Sequence, residues 1–172
     1  FNIEQCDGIE VPAEEEKLFN AIEEAEAVVA NYTDAPTIVE VASDKAFYSP
    51  ISDKISTPLR NQFNSEEEFY ATLFHEMVYS TGHSSRLDRL KLTSFGTETY
   101  SKEELVAEIG AAFLCNMTGI HPKVEENNTA YIASWLNKLR NDKRLIVTAS
   151  GLAQKAVNHI VGNNDNSGGD DE

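Results

Sequence analysis

Basic side chains are in short supply: 14 Lys and Arg stand against 29 Asp and Glu, a formal charge of −15 at neutral pH. Phosphate backbones are gripped mainly by Lys and Arg, so this imbalance argues against a domain that binds nucleic acid directly. The two basic clusters, "RLDRLK" (Arg86, Arg89, Lys91) and "KLRNDKR" (Lys138, Arg140, Lys143, Arg144), read as solvated, ion-paired surface. Cysteine is almost missing. Cys6 and Cys115 lie far apart and fit no metal or redox spacing, which makes them free thiols of a reducing compartment and points to the cytoplasm. No run approaches the roughly 18 to 20 apolar residues that cross a bilayer, and the opening "FNIEQCDGIE" has neither the basic nor the apolar region of an export signal. Gly and Pro are sparse until the end of the chain, where "GNNDNSGGDDE" is too polar to bury a core. One domain over residues 1–161 and an acidic flexible tail over 162–172 are expected.

The apolar pattern predicts an α+β fold, mostly helical, with a small sheet in the N-terminal half. In "AEEEKLFNAIEEAEAVVANY" (13–32), Leu18, Ile22, Ala25, Val28 and Val29 form one helical stripe, with acidic residues in its first turn. "TIVEVAS" and "AFYSPISDKISTP" are rich in β-branched and aromatic residues; the second breaks at Ser52-Asp53, giving a strand followed by a hairpin-like pair. Ser65 and Glu68 form a capping box that opens a helix ending near Thr81, with Gly82 suited to a left-handed position beyond it. A second capping box, Ser101 with Glu104, opens "SKEELVAEIGAAFLCNM". Two further helices are expected in "NNTAYIASWLNKLR" and "DKRLIVTASGLAQKAVNHIV", the last bending or breaking at Gly151.

Chemistry concentrates in "FHEMVYSTGH" (74–83). The stretch is a zinc-peptidase H-E-x-x-H signature except that Tyr79 holds the place of the second His. At i and i+4, His75 and Tyr79 share a helix face, and Glu76 projects about 100° away, where it can reach water held by an ion. A third ligand must come from elsewhere. In "EELVAEIGAAFL" the residues Leu105, Ile109, Ala112 and Phe113 predict a buried stripe that includes Glu108, with Glu104 one turn earlier. A carboxylate in such a stripe must be paired or bound to metal. Each candidate has a second, plainer role: Glu104 as partner of Ser101, Glu108 as partner of Arg86, Arg89 or His83. His83 is either an alternative ligand, provided the helix breaks at Gly82, or a cap on the helix end it leaves. His121 and His159 read as surface residues, and Trp135 with Tyr131 and Leu139 as core.

The stretches "FYATLFHEMVYSTGHSSRLDR", "SFGTETYSKEELVAEIGAAFLC", "AYIASWLNKLRNDKRLIVTAS" and the opening "FNIEQC" together resemble the ArdC-like antirestriction proteins of mobile genetic elements, from residue 1 to about 161. That resemblance implies a zincin-like metallopeptidase domain corresponding to the C-terminal part of such proteins, with single-stranded DNA bound by a separate N-terminal domain. It makes zinc the expected cofactor, His75 a ligand, Glu76 the general base and Glu104 the third ligand. Glu108 then orients a ligand His from outside the coordination sphere, or is itself the direct ligand. Family members usually carry His where this chain has Tyr79, and a phenol must ionise to bind zinc well. Two functions follow: a zinc peptidase, active or weakened, that cleaves a protein during DNA transfer, or an inactive pseudopeptidase that serves antirestriction by binding a host protein.

Overall fold

A computed structural model of the chain describes residues 19–90, 98–121 and 143–163. The elements in it are helix α1 (Glu23–Asn31), strands β1 (Thr37–Val41), β2 (Phe47–Ser49) and β3 (Lys54–Pro58), and helices α2 (Glu66–Ser80), α3 (Glu98–Met117) and α4 (Lys143–Val161). This is the α+β arrangement expected, a small sheet in the N-terminal half with helices around it. The helix foreseen in "NNTAYIASWLNKLR", with Trp135, and most of the acidic tail lie outside the described residues.

β3 is the central strand, in the order β1-β3-β2; it pairs parallel with β1 and antiparallel with β2, placing Ile38 and Tyr48 on either side of Ile55. Asp53 makes the β2–β3 turn at φ 45, a left-handed conformation that Asp tolerates. The core is built on α2. Phe69, Tyr70, Leu73, Phe74, Met77 and Val78 are all buried and meet Val106 and Leu114 of α3 and the small-residue face of α4, Ala149, Ala153 and Ala156. No helix among the described residues is long and apolar enough to cross a membrane.

Several expectations about helix ends are corrected. α1 starts at Glu23, because the chain before it is held otherwise: Phe19 stacks edge-on against Phe69 at 5.3 Å, and the Asn20 N–H donates to Glu66 at 3.0 Å. The Ser65 cap forms, with its hydroxyl accepting from the Glu68 N–H at 3.2 Å. Gly82, however, does not take a positive φ. It is there for space, since a Cβ would stand 2.8 Å from the Leu90 side chain and 3.2 Å from the Tyr79 carbonyl oxygen. The second capping box is absent. α3 begins at Glu98, so Ser101 and Glu104 sit inside the helix, and Glu104 is released from any capping role. α4 runs unbroken through Gly151, whose intrinsic cost is outweighed by the buried alanine face on either side.

α2 and α3 approach closely at Val78 and Gly110. A Cβ at Gly110 would lie 2.6 Å from a Val78 methyl carbon, so only glycine permits this spacing. The contact sets the distance between the two helices that carry the candidate functional residues.

Candidate metal centre

His75, Glu76 and Tyr79 of α2 and Tyr100 and Glu104 of α3 line one cleft of roughly 420 Å³, closed on the sheet side by Ala46, Phe47, Tyr48 and Pro50. His75 stands between two carboxylates of α3. Its Nε2 is 3.7 Å from Glu104 Oε2, and its Nδ1 is 3.7 Å from Glu108 Oε1, so the two ring nitrogens face different glutamates. This follows from helical spacing, since residues four apart on α3 present successive side chains to one neighbour.

The electrostatics favour a positive charge at this point. Burial opposes the imidazolium of His75, but the contact with Glu104 and the fields of Glu76, Glu108 and Glu104 prevail and raise its pKa. Burial also raises the Glu76 pKa, against the opposing pull of His75 and of the nearby Tyr48 backbone. Glu104 moves the other way: desolvation pushes it up, but His75 and the Tyr100 hydroxyl hold it below the ordinary carboxylate value. Tyr79 is pushed up to about 12 by burial and by Glu104, Glu103 and Glu76, so at neutral pH it presents a neutral phenol.

Two expected residues are placed differently from their sequence reading. Glu108 is not in a buried stripe; it is 45% exposed, and Ala112 beside it is exposed too. The buried carboxylate of α3 is Glu103, whose Oε2 accepts from Arg89 Nε at 3.2 Å, with both side chains under a tenth exposed. His83 is not among the cleft residues: its Nδ1 is held by Ser85, 2.8 Å from the hydroxyl and 3.2 Å from the backbone N–H. His159 contacts Asp34 at 3.0 Å and His121 is exposed, and neither is among the residues that line the cleft. Cys115 is a buried free thiol pushed up to about 11, hence unreactive.

Arg86 and Arg89 are not the solvated surface expected of "RLDRLK", nor partners of Glu108: their side chains are 2% and 8% exposed, and Arg86 secures the cleft wall. Arg86 donates to the Ser80 carbonyl oxygen at 2.9 Å, to the Asp34 carbonyl oxygen at 3.2 Å and to the Tyr48 hydroxyl at 3.0 Å, and pairs with Asp53. Tyr48 in turn donates to Asp53 at 2.6 Å. This clamp ties the β2–β3 hairpin, which lines the cleft through Phe47 and Tyr48, to the end of α2. Sequence reasoning passed over Tyr100, because a Tyr ahead of a capping-box motif carries no sequence signal of its own.

Donors bound to one ion through bonds near 2.1 Å stand roughly 3 to 3.5 Å apart, so His75 Nε2 and Glu104 Oε2 fit a shared divalent cation after a shift of a few tenths of an ångström. A third strong donor does not join them. Among the described residues no three His, Cys, Asp or Glu side chains form a group able to hold a metal, and the phenol of Tyr79 stands where that donor would be.

The family model described as zincin-like metallopeptidase matches residues 23–152. A protein named DNA primase TraC from Escherichia coli is 38% identical over 162 residues, covering 94% of this chain and 11% of its own length. An uncharacterized protein, y4eC of Sinorhizobium fredii, is 34% identical over 157 residues, 90% of this chain and 50% of the relative. Among solved structures, the antirestriction protein ArdC from plasmid R388 in its Mn(II)-bound form matches with a TM-score of 0.72 and 38% identity over 97% of this chain and 62% of that one. Its metal-free form matches with a TM-score of 0.69. The chain thus spans less than two thirds of each of these proteins.

Proposed function

This chain belongs to the zincin-like metallopeptidase family, and on that premise we propose that it is the peptidase-type domain of an ArdC-like antirestriction protein from a mobile genetic element. It acts in the cytoplasm on a protein or peptide, with His75 and Glu104 holding a divalent cation and Glu76 serving as general base. The observation that carries this reading is the convergence of His75, Glu76 and Glu104 in one cleft, from two helices, with His75 Nε2 turned to Glu104.

A zinc ion held by His75 and Glu104 would supply Lewis-acid chemistry, polarising a scissile carbonyl and acidifying water. Glu76, with its pKa raised by burial, is suited to take a proton from water and return it to the leaving amine. Glu108, at His75 Nδ1, orients the ring and keeps the other nitrogen directed at Glu104. β2, at an edge of the described sheet, brings Phe47 to the cleft, 53% exposed, beside Ala46 and Pro50; this side suits an apolar substrate side chain. Tyr79 weakens the ion's hold, so hydrolysis is slow in the natural chain.

The second reading, a pseudopeptidase that only binds a host protein, draws support from the neutral phenol at position 79. Hydrolysis of fluorescent casein, with Zn(II) or Mn(II) supplied, separates the two. The peptidase reading expects cleavage that is lost on chelation, increased by Tyr79→His, and abolished by Glu76→Gln with metal still bound. No cleavage by the natural chain or by Tyr79→His, with metal bound to both, establishes the second.

A further inference from the structure

We propose that Tyr100 is a positioning residue for Glu104: its phenol holds the carboxylate so that Oε2 stays turned to His75 Nε2 when a divalent cation enters. The inference rests on the reading of His75 and Glu104 as the cation-holding pair. Tyr100, Glu104 and Glu108 are spaced four apart on α3 and so lie along one face of it. Tyr100 and Glu104 both line the cleft, and the Tyr100 hydroxyl donates to the Glu104 carboxylate. Glu104 is therefore held from two sides, by the phenol of its own helix and by the imidazole of α2 at 3.7 Å.

The arrangement solves a problem particular to this cleft. His75 has carboxylates at both nitrogens, and three glutamates surround one ring, so mutual repulsion pushes the flexible side chains outward. Glu108, on the more exposed part of this face, is 45% exposed, whereas Glu104 is 22%. A hydroxyl donor on Glu104 offsets the repulsion without adding a charge. A phenol is neutral at pH 7, so the donor proton is in place. With a weak donor at position 79, an ordered Glu104 matters more than it would in a complete ligand set.

The test is calorimetric titration with Mn(II) and Zn(II) salts of four chains of this length: the unchanged sequence, Tyr100→Phe, Tyr79→His, and the double variant. Tyr100→Phe keeps the ring and removes only the donor. The expected result is a roughly 10- to 100-fold loss of affinity on Tyr100→Phe in whichever background binds, the range typical for loss of a partner to a metal ligand. The metal-free thermal midpoint should stay unchanged, which a merely structural role would not allow. Equal affinity with and without the hydroxyl overturns the inference and leaves the cation site standing, as does a loss of hydrolysis at unchanged affinity, which would make Tyr100 a transition-state donor. A fall in the metal-free midpoint that accounts for the affinity change overturns it likewise. Absence of binding by both the natural chain and Tyr79→His overturns this inference together with the site reading it rests on.

Discussion

Tyr79 shows how one side chain governs what the rest of the cleft can do. It lies one turn along α2 from His75 and lines the same cleft, but burial and the fields of Glu104, Glu103 and Glu76 hold its pKa at about 12. An imidazole there offers a neutral nitrogen donor at pH 7. Tyr79→His should tighten zinc binding at least 10-fold, about 1.4 kcal/mol, as measured by competition with a chromogenic chelator; unchanged affinity would mean that residue 79 does not face the ion. A different residue carries the stability. Arg89 and Glu103 are both under a tenth exposed, so Arg89→Met strands a buried carboxylate and should cost roughly 3 to 5 kcal/mol in urea unfolding, most of it recovered by adding Glu103→Leu. The apolar pattern of α3 points to Glu108 as the buried carboxylate, with Arg89 among its possible partners, whereas the one Arg89 holds is Glu103. The pattern chose Glu108 rather than Glu103 because the stripe Leu105, Ile109, Ala112, Phe113 is offset from the observed buried face of Val106, Ala107, Gly110, Leu114. With α3 packed against α2 on one side and α4 on the other, periodicity alone does not say which flank is innermost.

At the scale of elements, glycine and one turn decide the geometry. Gly110→Ala places a methyl group 2.6 Å from Val78 and forces α2 and α3 apart, so it should destabilise the fold by about 1 to 3 kcal/mol and weaken metal binding with it. Gly151→Ala meets nothing within 4 Å in the middle of α4 and should stabilise by up to about 1 kcal/mol, read as a higher thermal midpoint. The β2–β3 turn adds a pH dependence. Arg86 and Tyr48 hold Asp53 at about 2, below its ordinary value near 3.8, so the turn's contribution to stability is complete above roughly pH 4 and is lost as pH falls toward 2. Urea midpoints measured from pH 5 to pH 2 should fall more steeply for the natural chain than for Asp53→Asn, which starts lower. The strands, the Ser65 cap and the extent of α2 were legible in the sequence because local rules determine them. The late start of α1 and the early start of α3 were not: the first depends on Phe19 stacking on α2, a contact 50 residues away in the chain.

Over the whole molecule, an excess of acidic residues surrounds a cleft whose own balance is negative, three glutamates about one histidine. That field attracts a divalent cation and repels phosphate, so this chain should bind single-stranded oligonucleotides weakly at physiological salt; tight, salt-sensitive binding in fluorescence anisotropy would contradict the account. The buried core, resting on α2 with α3 and α4 against it, holds the two cleft helices in register whether or not an ion is present. The most direct test of the central claim is therefore structural: crystals of the chain soaked in Mn(II), with an anomalous difference map calculated at the manganese edge. The account expects one peak within about 2.0 to 2.3 Å of both His75 Nε2 and Glu104 Oε2, with Glu76 turned to the water side and Glu108 still at Nδ1. A peak elsewhere, or a cleft in which Glu104 has left His75 and no ion touches either residue, would contradict it.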